Sequence, residues 1–150
     1  MNKNKMSLEA FLRSNVSQNG YQFKSNGERR IAGFLEENQI DYKYEQGVLV
    51  QTREKLQRIY YPDFYLTEFN MYIEYYGMAG NPDYDNGIRI KESAYALTGL
   101  DVIAIYPKNF RTDWKGHIIK EIETKIQSEY ESLSSKPYFS ANEYRFFEQV

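Results

Sequence analysis

Two acidic residues stand where strand-forming sequence should not tolerate them. Asp63 lies inside RIYYPDFYL and Glu74 inside MYIEYY, both runs rich in aromatic and β-branched residues, and an unpaired carboxylate buried in such a run is costly. Side chains alternate faces along a strand, so Asp63 and Tyr65 share one face of the first run, and Glu74 and Tyr76 share one face of the second. If the two runs pair, the carboxylates approach each other from neighbouring strands, while Phe64, Leu66, Ile73 and Tyr75 turn the other way into apolar packing. Two carboxylates held close repel each other unless a cation lies between them. The chain has no cysteine and a single histidine, His117, so thiolate chemistry and multi-histidine zinc sites are excluded and any metal must be held by oxygen. A hard divalent ion, Mg²⁺ with Mn²⁺ as a substitute, suits two carboxylates and leaves positions for water and substrate phosphate.

The elements that must position this pair are readable from periodicity and caps. Residues 25–38 (SNGERRIAGFLEEN) carry Ile31, Phe34 and Leu35 at helical spacing, and Ser25 three residues before Glu28 is a capping box. Residues 42–44 and 48–51 flank Gly47 and read as one strand, plain or bulged. Residues 58–66 and 71–76 read as two further strands joined by a turn at 67–70, which makes a three-stranded meander. Pro62 has no N–H for a ladder, so it belongs at a bulge or with its nitrogen turned away from a partner. Residues 82–98 read as a second helix ended by Gly99, and residues 101–106 (DVIAIY) as a buried strand. A last helix over 113–133 places Trp114, Ile118, Ile119, Ile122 and Ile126 along one face. The order α-β-β-β-α-β-α predicts one mixed sheet with helices on both faces, in a single domain of 150 residues.

PDFYL, a spacer and YIEYYG, carried on this order of elements, resemble the PD-(D/E)xK nuclease superfamily. The likeness covers residues 25–108 and leaves out the N-terminal arm, the last helix and the tail at 134–150. It implies an α/β protein with a restriction-endonuclease-like αβββαβ core, a mixed β-sheet flanked by helices. The activity it implies is Mg²⁺-dependent hydrolysis of phosphodiester bonds by a DNA endonuclease of restriction, repair, recombination or mobile-element homing type. In that resemblance Asp63 and Glu74 bind the metal, and the main-chain carbonyl of Tyr75 is a further ligand. Tyr76 stands where the family's lysine is expected. Some members carry that lysine on the following helix, where this chain has Lys91, whose role would be to orient the attacking water or to stabilise charge on the phosphorane. Glu28 matches an acidic residue that members often carry on the first helix, and its place in the capping box accounts for it equally well. A phenol with its ordinary pKa near about 10 is a poor base at neutral pH, so the contribution of Tyr76 to such a site is packing or phosphate positioning.

With 19 Lys and Arg against 21 Asp and Glu, the net charge of −2 gives no global attraction to phosphate, so a nucleic-acid protein of this balance must segregate its basic groups. Arg29 and Arg30 open the first helix, and Arg53, Lys55 and Arg58 approach the Asp63 run; these five are the candidate DNA contacts. The 15 tyrosines and 9 phenylalanines exceed what a small core needs, which points to an interface. Phe139, Tyr144, Phe146 and Phe147 follow a Ser-Ser-Lys-Pro break and are the candidate subunit contact of a homodimer or higher homo-oligomer. No apolar run approaches about 18 residues, and no apolar segment follows the basic residues 1–5, so no membrane partner and a cytoplasmic address are expected. Two other readings stay open: a catalytically silent nucleic-acid-binding module of the same fold, and a protein-binding adaptor.

Overall fold

The Ser25 hydroxyl accepts the Glu28 amide at 3.1 Å and starts helix α1 (Asn26–Glu37), where the capping signal placed it. The structure, a computed structural model, describes residues 20–135; the expected subunit contact at Phe139, Tyr144, Phe146 and Phe147 lies outside the described residues. Helix α2 (Pro82–Thr98) is capped by Asn81, whose side chain accepts the Asp83 amide at 3.1 Å, and it ends on Gly99 at a φ of 74°. Only glycine takes that left-handed turn without strain. Helix α3 (Trp114–Ser134) is capped by Asp113, which accepts the Gly116 amide at 2.9 Å.

Among the described residues six strands accompany them: β1 (Tyr42–Tyr44), β2 (Val48–Gln51), β3 (Gln57–Tyr60), β4 (Phe64–Leu66), β5 (Met71–Tyr75) and β6 (Val102–Ile105). Four build one mixed sheet in the order β1-β4-β5-β6. The β1–β4 and β4–β5 pairs are antiparallel, and α2 crosses over to make β5–β6 parallel. Strands β2 and β3 form a separate antiparallel hairpin. The expected meander is corrected at two points. Glu45 takes a φ of 50°, which turns the chain out of the sheet after β1, so residues 42–51 are two strands in two sheets. Pro62 cannot donate to a ladder and restricts the residue before it, so residues 58–66 divide into β3 and β4 on either side of it. A 3₁₀ turn, Pro107–Arg111, also precedes α3, where no element was expected.

Strand alternation sorts the core. Phe64, Leu66, Ile73, Ile103 and Ile105 share a cluster with Ile31 and Leu35 of α1 and with Trp114, Ile118 and Ile122 of α3. A smaller cluster joins Val50 of the hairpin to Ala94 and Tyr95 of α2. Three helices thus flank the mixed sheet, and among the described residues none is long and apolar enough to cross a membrane. The buried stripe of α3 stops earlier than its periodicity suggested: Ile126, Tyr130 and Leu133 are exposed, because the last turns run past the sheet.

Helix α1 reaches the sheet closely at Gly27. A Cβ there would lie 2.3 Å from two ring atoms of Tyr75, and that ring also packs on Phe110 with centroids 5.5 Å apart. Gly33, on the same helix, would meet nothing within 4 Å. Gly27→Ala should therefore cost about 1–3 kcal/mol through overpacking, whereas Gly33→Ala should add up to about 1 kcal/mol from helix propensity. Thermal unfolding of both variants checks this: a Gly27→Ala protein that melts with the wild type would show that the close approach is not needed.

Candidate active site

Strands β4 and β5 pair with Leu66 opposite Met71, Tyr65 opposite Tyr72 and Phe64 opposite Ile73. Carried on by one residue, this register sets Asp63 opposite Glu74; by two, it sets Pro62 opposite Tyr75. Asp63 sits at the bend just before β4, and its Oδ2 accepts the Tyr75 amide at 2.6 Å. A side chain therefore takes the donor that a strand carbonyl would ordinarily receive. Pro62 has no N–H, so β4 has no ladder donor to offer the Tyr75 carbonyl. The Pro62-Asp63 dipeptide both fixes a carboxylate and leaves a main-chain oxygen of β5 outside the β4 ladder.

Glu74 is 3% exposed in the middle of β5, and a buried carboxylate needs donors on both oxygens. It has them: the Lys91 ammonium donates to Oε1 and the Tyr95 hydroxyl to Oε2 at 3.0 Å. Lys91 and Tyr95 are four residues apart on α2, so both reach from one face of one helix. The structure thus brings Lys91 to the acid pair. Tyr95, which apolar periodicity assigns to the core face of α2, is the residue that sequence reasoning misses; the available signal was its i,i+4 spacing from Lys91.

Glu28 completes the acidic set. Its Oε1 accepts the Ser25 hydroxyl at 2.8 Å, and its Oε2 accepts the Lys24 amide at 3.0 Å and the Tyr44 hydroxyl at 2.5 Å. The capping box closes on the Lys24 amide rather than on that of Ser25. Glu28, Asp63, Glu74 and Lys91 line one open cleft of ≈ 430 Å³, with Tyr75 and Tyr84 beside them. Burial, and then the neighbouring Glu74 carboxylate, push Asp63 up to about 7 against the pull of the Tyr75 amide. Burial is also the main reason that the phenols of Tyr95, Tyr44 and Tyr76 lie far above their ordinary value, with Glu74 adding to it at Tyr95 and Tyr76 and Glu28 at Tyr44. Tyr95 and Tyr44 therefore stay proton donors to their carboxylates at any physiological pH.

Among the described residues, no three His, Cys, Asp or Glu side chains gather into a ready cation cage. A metal here would rest on Asp63, Glu74 and the Tyr75 carbonyl, a donor set that would suit a hard ion taking one or two carboxylates and filling its shell with water and phosphate. Asp63 Oδ1 has no hydrogen-bond partner among the described residues, and the repulsion that Asp63 feels from Glu74 is what a cation would relieve.

The other expected site residues lie elsewhere. Tyr76 is 1% exposed and does not line the cleft; its ring packs on Tyr106 with centroids 5.3 Å apart, and its hydroxyl has no hydrogen-bond partner among the described residues. Arg29 bonds to the Asn26 side chain, and the Arg30 guanidinium lies 4.1 Å over the Phe110 ring. Arg53 and Arg58 line a second groove, and Lys55 is exposed in the β2–β3 turn at a φ of 61°.

The raised Asp63 value makes stability depend on pH. Unfolded, Asp63 titrates near about 3.9, so between that value and about 7 the folded chain holds a proton that the unfolded chain has lost, and stability falls as pH rises through this window. In EDTA, urea unfolding should show the wild type losing about 2–3 kcal/mol relative to Asp63→Asn between pH values of about 5 and 7.5. Parallel curves would show that Asp63 is not held protonated. Compared with known proteins, the chain matches no family model, no curated protein and no solved structure.

Proposed function

We propose that this protein is a Mg²⁺-dependent deoxyribonuclease, an endonuclease hydrolysing phosphodiester bonds, built on a restriction-endonuclease-like core. The observation that carries the reading is Asp63 and Glu74 on one cleft, with Lys91 of the following helix on Glu74. Support for the core comes from the elements that hold this pair: α1, then β1, β4 and β5, then α2 crossing over to a parallel β6, with β2–β3 as an excursion from it. A cytoplasmic address suits a DNA substrate and a chain without cysteine.

The ion bound at Asp63, Glu74 and the Tyr75 carbonyl would supply a polarised water and neutralise phosphate charge. The chain's own residues prepare that site. The Tyr75 amide fixes one oxygen of Asp63, and Tyr95 fixes one oxygen of Glu74. Lys91 is the one cation hydrogen-bonded to the pair among the described residues, placed to stabilise negative charge that grows on the phosphate. Glu28 has both oxygens committed to the start of α1 and to Tyr44; it walls the cleft and keeps its field negative. Tyr76 packs behind the site.

Plasmid and single-stranded DNA incubated with Mg²⁺, Mn²⁺ or EDTA test the reading. Asp63→Asn and Glu74→Gln should abolish metal-dependent cleavage while circular dichroism stays native. Lys91→Ala should lower turnover by about 10²-fold or more, and Tyr76→Phe should be mild. The reverse ranking would refute the migrated lysine, and a gel shift without cleavage would favour the silent module.

Cutting both strands of a duplex calls for two sites, and we infer a homodimer or higher homo-oligomer. Its support is the exposed stripe Ile126, Tyr130 and Leu133 at the end of α3, with Phe139, Tyr144, Phe146 and Phe147 further along the sequence. Light scattering should find the full chain dimeric or larger and a chain truncated after Ser135 monomeric; a full-length monomer at micromolar concentration would refute the assembly.

A further inference from the structure

A groove of ≈ 560 Å³ runs between the β2–β3 hairpin and α2, and three arginines line it. Arg53 and Arg58 come from the hairpin side, and Arg89 comes from α2. Among the described residues, none of the three lies within ion-pair distance of a carboxylate. Arg53 Nε donates to Ser93 Oγ at 2.7 Å, which ties the hairpin to the helix and fixes one edge of its guanidinium. Glu54 lies at the rim, fully exposed, with its carboxyl held low chiefly by the Thr52 hydroxyl and its own amide rather than by the arginines.

Three like charges converging on one concavity repel each other, and the arrangement is relieved when an anion fills it. Guanidinium forks match phosphate oxygens two at a time. The groove also adjoins the acidic cleft: Tyr60 borders both, and the neighbouring α2 residues Ile90 and Lys91 line the groove and the cleft respectively. The charge therefore changes sign between adjoining concavities, acidic where a metal would sit and basic beside it.

We propose that the Arg53, Arg58 and Arg89 groove seats consecutive phosphates of the strand that the acidic cleft cuts. The substrate is then a nucleic-acid strand that continues for several nucleotides from the scissile bond along the hairpin, not a mononucleotide or a small phosphodiester held at the cleft alone. Arg89 joins Arg53 and Arg58 in this role, while Arg29 and Arg30 do not. The inference rests on the nuclease reading for the identity of the cut strand; the groove's preference for a polyphosphate does not.

Fluorescence anisotropy tests it with the full chain in EDTA and fluorescein-labelled DNA of roughly 20 nucleotides, single-stranded and duplex, over a range of salt. Arg89→Gln alone should lower the slope of log affinity against log salt by about 1, and the triple replacement by Gln at positions 53, 58 and 89 by about 2–3 with at least about tenfold weaker binding. Lys120→Gln, on the exposed side of α3, is the control and should change neither. Arg89 is exposed and has no ion-pair partner among the described residues, so the single variant keeps the test valid if the triple variant does not fold. A wild type that fails to bind either DNA, or variants that bind with the wild-type slope, overturns the proposal. Hydrolysis of bis(p-nitrophenyl) phosphate by the wild type with Mn²⁺ reads the cleft separately. Arginine-dependent binding with no hydrolysis of this ester or of DNA keeps the groove and sinks the nuclease reading; hydrolysis with arginine-independent binding does the reverse.

Discussion

A carboxylate in the middle of a buried strand is the constraint around which the rest is arranged. Glu74 sits on β5 between β4 and β6, with sheet on both sides and a helix above, and its charge is tolerated because α2 brings an ammonium and a phenol to its two oxygens. Breaking such a pair by removing one partner is far costlier than the pair is stabilising. The crossover helix is therefore tied to the sheet by polar chemistry as much as by packing. That helps explain why its apolar cluster, Val50 with Ala94 and Tyr95, can be so small.

The tyrosine surplus has a use that composition does not suggest. Tyr44 and Tyr95 each donate a hydroxyl to a buried carboxylate, Glu28 and Glu74, while their rings fill apolar space against Phe64 and Tyr60. A phenol is suited to this because it delivers a donor at the end of a rigid apolar body and keeps its proton when buried. Part of the aromatic excess that reads as interface is spent inside, holding acids in place.

What was legible in the sequence follows the range of the interaction concerned. The Ser25 cap and the Gly99 stop are local, and α1 begins and α2 ends where these residues put them. The alternation that turns Phe64, Leu66 and Ile73 inward is local too, and it correctly puts Asp63 and Glu74 on the opposite side. Sheet membership is not local. Nothing within residues 42–51 states that Val48 will pair with Tyr60 while Tyr44 pairs with Phe64; the turn at Glu45, a residue with no glycine-like preference, decides it. Tyr95 was hidden for a similar reason, since a tyrosine on an apolar stripe looks the same whether or not its hydroxyl finds an acid. The arginine groove needs two segments brought together, and Arg89 gives no sign by itself.

The hairpin leaves the sheet after β1 and returns at Asp63, and the Glu45 amide bonds to the Asp63 carbonyl at 2.9 Å. The excursion therefore begins and ends at one point of the sheet, closed by a backbone bond that does not depend on what lies between. Lengthening the turn of a segment closed in this way changes its entropy only slowly with length. The hairpin is thus an insert closed at its own base on the frame of the sheet, while Val50 and the Arg53–Ser93 bond dock its far side on α2.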